Sequence, residues 1–373
     1  MDLTDNEMWH GNVDGYDRIE PGLDVLLEPN NRVDHKMLRL FLLAMLSTLL
    51  SSCAAPKQTW QDFQQACDAG DARGCYNLGV AYYEGLSLEP NPAKAASLFQ
   101  RACDDGSTKG CTNLGTLYSR GEGVKRDLVK AAFLFRQACD AGEALSCSNL
   151  GNAYAEGEGV ERDLEKAVAL FQQACDAGNS RGCGELGVVY SKGEGVSPDP
   201  SKAISLIRQG CEAGDAGACF NLGAVHRDGN GIRPDLTASV AFFRQACDGG
   251  DTRGCIALGS AYTNGVGVDA NLRKAESLFR RACDDGNTDG CHNLGLVYLH
   301  GNGVTPNPVK ASSLFQKACD AGGSASCHNL AVTYYEGTGV DQNFVKAASL
   351  FQQACDDGFQ QSCAFLQTVQ GKT

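Results

Sequence analysis

The sequence predicts an all-α fold, an α/α superhelical solenoid of helix-turn-helix repeats with a disulfide in each. Three observations predict it. Cys67, Cys103, Cys139, Cys175, Cys211, Cys247, Cys283, Cys319 and Cys355 are each 36 residues from the next, and each is followed eight residues later by a second cysteine, Cys75 through Cys363. A fixed period of about 20 to 50 residues is the mark of a stacked array. Apolar residues within the unit fall at helical spacing, and no run alternates with period two over a useful length, so strands are not expected.

The unit is clearest from Asp127 to Arg162. Leu128, Ala131, Ala132, Leu134, Phe135 and Ala138 make one apolar face of a helix from about Asp127 to Asp140, with Asp127 as N-cap and Gly142 as its stop. A second helix is expected from about Glu143 to Glu156, where Leu150, Gly151 and Tyr154 repeat as small and large packing residues, until Gly157 and Gly159 break it. Such a pair cannot bury its apolar face alone, and stacked neighbours complete the core.

In chain order, residues 1–36 carry nine Asp or Glu against three Lys or Arg with no helical period, and read as a non-native or disordered leader. Residues 37–52 read as a signal peptide: Lys36 and Arg39 flank Met37, and the apolar run Leu40 to Leu50 is shorter than the about 20 residues of a spanning helix. On this reading translation starts at Met37. The ending Leu50-Ser51-Ser52-Cys53 resembles the lipobox of bacterial lipoproteins, which implies a lipidated Cys53 and a tether over 53–56; the alternative is an ordinary signal peptide with an incidental cysteine. Residues 57–370 form one continuous array of about eight full repeats plus terminal half-repeats, opened by Trp60 and Phe63 and closed by Phe365 and Leu366. The turns Leu86-Ser87-Leu88-Glu89-Pro90 and Ser197-Pro198-Asp199-Pro200 depart from Gly-x-Gly-Val but keep the register.

Nineteen cysteines make nine pairs plus Cys53. Because the first of each pair closes one helix and the second opens the next, antiparallel packing can bring them within bridging reach. The expected bridges are Cys67-Cys75, Cys103-Cys111, Cys139-Cys147, Cys175-Cys183, Cys211-Cys219, Cys247-Cys255, Cys283-Cys291, Cys319-Cys327 and Cys355-Cys363. Zinc is the competing use of cysteine, but its ligands must lie within about 2.3 Å of one point while stacked helices sit about 8 to 10 Å apart. No metal and no cofactor are expected.

Positions 1–52 hold 4 of the 32 basic and 9 of the 45 acidic residues, which leaves 28 against 36, a net charge of −8 for the rest. Nucleic acid is a poor partner for that surface.

Leu114-Gly115 with Tyr118, the turn Gly121-Glu122-Gly123-Val124, Asp127 and the helix start Lys130-Ala131-Ala132 resemble the Sel1-like repeat, a relative of the tetratricopeptide repeat. The two cysteines eight residues apart resemble the Helicobacter cysteine-rich variant of it. The resemblance implies a scaffold that holds other proteins; the cysteine-rich group is also named for penicillin binding and β-lactamase activity. Catalytic residues for the latter are unknown here. No serine has lysine three residues on, Gly371-Lys372-Thr373 is not the Lys-Thr-Gly of serine β-lactamases, and beyond residue 52 the histidines are His226, His292, His300 and His328, of which His292 and His328 share one repeat position.

Two residues after the second cysteine most copies carry asparagine: Asn77, Asn113, Asn149, Asn221, Asn293 and Asn329, with Glu185 and Ala257 as departures. An amide both donates and accepts, so a row of them can satisfy the backbone of an extended peptide; alternatively each bonds its own neighbouring helix. The adjacent positions Tyr76, Thr112, Ser148, Gly184, Phe220, Ile256, His292 and His328 vary most, and are expected to tune the partner. The sequence thus points to an exported, lipid-anchored monomer of the periplasm or outer membrane, or one secreted, that binds a protein, a peptide or a cell-wall-related ligand in a concave groove. A weak β-lactam hydrolase is the second reading.

Overall fold

The structure is a computed structural model that describes residues 59–370. The expected leader (1–36), signal peptide (37–52) and lipidated Cys53 with its tether (53–56) lie outside the described residues. The described residues divide into two compact units, one ending at Asp105 and the other beginning at Gly106.

In the first unit α1 (Trp60–Asp68), α2 (Ala72–Glu84) and α3 (Pro92–Asp104) pack in sequence order. Leu78, Ala95, Phe99, Ala102, Cys67 and Cys75 are its buried residues of note. The second unit contains α4 (Thr108–Arg120), α5 (Leu128–Asp140), α6 (Ala144–Glu156), α7 (Leu164–Asp176), α8 (Ser180–Lys192), α9 (Pro200–Glu212), α10 (Ala216–Asp228), α11 (Leu236–Asp248), α12 (Thr252–Asn264), α13 (Leu272–Asp284), α14 (Thr288–His300), α15 (Pro308–Asp320), α16 (Ser324–Glu336), α17 (Phe344–Asp356) and α18 (Gln360–Gln370). Each packs on the next, as a helical solenoid requires, and no strand occurs among the described residues.

The helix ends follow from the repeat's own chemistry. Asp127 Oδ1 accepts from the Lys130 amide, and Asp163 and Asn271 do the same for Lys166 and Lys274, so α5, α7 and α13 each open on a side-chain cap worth about 1 kcal/mol against alanine. The even helices from α2 to α16 close on a left-handed glycine; Gly157 after α6 has φ 73°, a conformation a Cβ disfavours. Expected and observed bounds differ by one residue, because Asp127 and Glu143 cap their helices from outside.

Packing within a repeat pairs small with large. A Cβ on Gly151 would stand 2.6 Å from Cε1 of Phe171, so glycine on α6 is what lets the buried ring of α7 approach. Eight bridges join cysteines eight residues apart with Cα atoms 4.3 to 4.9 Å from each other, at Cys67–Cys75 and from Cys139–Cys147 through Cys355–Cys363. Cys103 and Cys111 are disulfide-bonded too.

A second recurring link ties a tyrosine near the end of an even helix to a lysine twelve residues on: Lys94 donates to Tyr82 at 2.6 Å, Lys202 to Tyr190 at 2.7 Å, Lys310 to Tyr298 at 2.9 Å and Lys346 to Tyr334 at 2.6 Å, while Lys130, Lys166 and Lys274 lie over the rings of Tyr118, Tyr154 and Tyr262. Where His226 replaces tyrosine, Ala238 replaces lysine. Among the described residues neither ring nitrogen of His226 has a partner, and burial, followed by the nearby Arg208 charge, holds its pKa below the usual histidine range.

Candidate functional site

In the second unit even helices also approach one another directly, α6 to α8, α8 to α10 and α12 to α14. Side chains near the starts of further successive even helices, α4 with α6, α14 with α16 and α16 with α18, bridge that face. Thr112 Oγ1 lies 2.7 Å from Ser146 Oγ, His292 Nδ1 is 2.9 Å from Ser326 Oγ, and His328 Nδ1 is 2.9 Å from Ser362 Oγ. Phe220 packs on Phe243 with ring centroids 5.7 Å apart.

The varying positions divide by exposure: Tyr76, Phe220, Ile256 and His292 are half-buried, and the other four are buried. Thr112, Ser148, Gly184 and His328 are buried between consecutive helices, and Ser148 is 0% exposed. Thr112 and His328 bond serines of the next copy and a Cβ on Gly184 would meet the Asp215 carboxylate at 2.9 Å, whereas the buried Ser148 Oγ has no hydrogen-bond partner among the described residues. Phe220 and Ile256 differ from the others in that they also line an open cleft.

The asparagines occupy one register of successive even helices: Asn77 on α2, Asn113 on α4, Asn149 on α6, Asn221 on α10, Asn293 on α14 and Asn329 on α16. All are half-buried except Asn113, which is 3% exposed. Among the described residues none of the six side chains makes a hydrogen bond. The same register carries Glu185 on α8, Ala257 on α12 and, in the last helix, an exposed Phe365.

At Ala257 the surface opens into a cleft of about 470 Å³ between α10, α11 and α12, walled by Phe220, Val240, Phe243, Ile256 and Ala257 and flanked by Arg227 and Arg253. The Arg253 guanidinium lies 4.6 Å from the Phe220 ring centre and 2.6 Å from the Asp251 carboxylate. Arg227 is paired with Asp228 at 2.7 Å. On the adjoining face Glu185 sits 3.9 Å from Arg181. Burial raises the pKa of both Glu185 and Asp215, against the pull of Arg181 and of the backbone amide that Asp215 caps. Sequence reasoning noticed Ala257 only as a gap in a row; the signal available was that Val266, where other turns carry Glu122, Glu158 and Glu194, departs in the same copy.

For chemistry the described residues offer no group of three or more His, Cys, Asp or Glu placed to hold a metal ion. His292 and His328 are hydrogen-bonded to serines one copy on, and burial lowers the pKa of both. No described helix is long and apolar enough to cross a membrane.

The chain is similar in structure to a protective antigen present in uropathogenic Escherichia coli strains, at 27% identity over 85% of this chain and 68% of that one with a TM-score of 0.56. It is similar to a Sel1 repeat protein from Oxalobacter formigenes at 25% identity, over 88% of this chain and 93% of that one, again with a TM-score of 0.56. Helicobacter pylori cysteine-rich protein B matches at 30% identity over 35% of this chain and 100% of its own, with a TM-score of 0.29. No curated protein matches. The Sel1 repeat model matches residues 72–107, 108–143, 144–179, 180–215, 216–251, 252–287, 288–323 and 324–359 in unbroken succession, and the chain therefore belongs to the Sel1 repeat family.

Proposed function

We propose that this member of a family of protein-interaction scaffolds captures an extended peptide segment of a protein on its even-helix face, with the asparagine register bonding the peptide backbone. The carrying observation is the set of half-buried amides of Asn77, Asn149, Asn221, Asn293 and Asn329, which make no side-chain hydrogen bond among the described residues. A half-buried amide with no protein partner exchanges solvent for the peptide backbone on binding, and each such exchange is worth about 0.5 to 1.5 kcal/mol net. A helix face on which neighbouring copies touch directly is the inner lining of a stack, the surface that solenoids use for binding.

The test is Asn149→Ala, Asn221→Ala and Asn293→Ala combined, in oxidised protein used to capture partners from cell envelope. Retained partner should fall at least tenfold at unchanged thermal stability. Unchanged capture, or a much earlier melt, would remove the asparagines from the binding surface.

The same reading places the protein outside the cytoplasm. Bridges at this density belong to an oxidising compartment, and Cys53 is the cysteine left over from the pairs. We infer a monomer held to a membrane by a lipid on Cys53, with a cell-wall-related ligand as a further candidate for capture. Mass spectrometry of envelope-derived protein should find Cys53 as the lipid-bearing first residue; recovery of any residue from 1 to 52 at the N-terminus would refute it.

A further inference from the structure

The copy spanning residues 252–287 departs from its neighbours in a concerted way. Ala257 stands in the asparagine register, and Val266 stands where three other turns carry glutamate. Leu236, from the preceding copy, reaches the same rim. Leu236 and Val266 are 41% and 42% exposed, although both are large and apolar. Together with Phe220, Phe243 and Ile256 they form an open apolar cleft of about 470 Å³, within the size range of sites that enclose a ligand group. Isolated exposed apolar residues are ordinary, but several converging on one concavity are not.

Charge beside the cleft is unbalanced. A Cβ on Gly217 would have the Arg253 guanidinium at 3.5 Å and the Asp215 carboxylate at 3.6 Å, while the same carboxylate lies 2.9 Å from a Cβ on Gly184, the residue before Glu185. Arg253, on the cleft wall, thus links the cleft to Asp215 and Glu185. Its guanidinium is already committed to Asp251 through both Nε and Nη2. Arg253 therefore serves three carboxylates, Lys192 acts on Glu185 while paired with Glu194 at 3.7 Å, Arg181 lies 3.9 Å from Glu185, and Asp289 adds a further carboxylate at the cleft.

We propose that the cleft takes a bulky apolar side chain of a partner peptide, while the Glu185 and Asp215 carboxylates take a lysine or arginine adjacent to it. This rests on the even-helix face being the peptide-binding surface and names what it selects. The partner segment is cationic and aromatic or aliphatic rather than acidic. Burial holds both carboxylates above their usual pKa range, so a cation brought beside them restores the stability their charged forms lack. Apolar contact supplies affinity and the carboxylates supply selectivity, a division common in recognition sites.

The test uses three capped hexapeptide probes, glycine throughout except for a central Trp-Lys, Trp-Glu or Ala-Lys pair, titrated calorimetrically into the oxidised protein. The Trp-Lys probe should bind at least tenfold more tightly than either control. Ala257→Leu, which fills the cleft, should cost that probe at least tenfold, and Glu185→Gln should narrow its advantage over Trp-Glu, both at unchanged melting temperature. Equal binding of Trp-Lys and Trp-Glu, indifference to Ala257→Leu, or no binding of Trp-Lys at millimolar concentration would overturn the proposal. The asparagine triple variant separates it from the broader reading. Envelope capture lost in that variant but retained in Ala257→Leu leaves the asparagine surface standing and the cleft excluded.

Discussion

Ser87 is the one non-glycine residue with positive φ among the described residues, at 57°. It occupies the turn position that Gly123, Gly159 and Gly195 hold in later copies, with φ between 69° and 75°. The array's register fixes the backbone there, so serine adopts a left-handed conformation that costs an L-residue about 1 to 2 kcal/mol. Ser87→Gly should relieve that strain and lose part of the gain to the greater freedom of unfolded glycine, a net stabilisation of about 0.5 to 1 kcal/mol. Urea unfolding will measure it. The reverse change, Gly159→Ser, should destabilise by more, because its Cβ would run into the Leu128 carbonyl as well. Equal stability of Ser87→Gly and the parent would mean that the turn relaxes around serine at no cost.

At the level of the helix pair, tyrosine and lysine are lost together at His226 and Ala238, as expected of a link that needs both ends. Restoring one end alone leaves either a lone hydroxyl or a lone ammonium. His226→Tyr together with Ala238→Lys should therefore exceed the sum of the single changes by about 0.5 to 1 kcal/mol in a double-mutant cycle, the usual worth of a cation held at an aromatic ring. Strictly additive singles would show that the other copies' tyrosines and lysines act independently. Helices of this kind were legible in the sequence to within a residue, since Asp127, Gly157 and the Cys139–Cys147 spacing each encode a local geometry that every copy repeats. What one copy does differently was harder to read. The cleft arises from Leu236, Ile256 and Val266 converging from separate segments, and Thr112, His292 and His328 each meet a serine hydroxyl 34 residues away, which no single copy reveals. A periodic pattern reports what is common to all copies, and specificity lies in the exceptions.

On the scale of the whole second unit, stability is a sum of repeats and their interfaces, and the bridges act locally within that sum. Each closes a short loop, worth about 2 to 3 kcal/mol in the chain-entropy account. Cys283–Cys291 joins α13 to α14 in the interior, where both helices have packed neighbours, whereas Cys355–Cys363 joins α17 to α18, and α18 packs on a neighbour at one end only. Removing the terminal pair as Cys355→Ala and Cys363→Ala should fray α17 and α18 while leaving hydrogen-exchange protection of α5 to α15 intact. Removing the interior pair as Cys283→Ala and Cys291→Ala weakens a unit that must hold both halves of the stack in register. Protection should then fall in α12 to α15, and unfolding should split into two steps separated at that point. A single cooperative transition in both variants, shifted equally, would mean that the bridges stabilise the stack as one body. In that case the cleft beside α12 could not be loosened or tightened independently of the rest of the array.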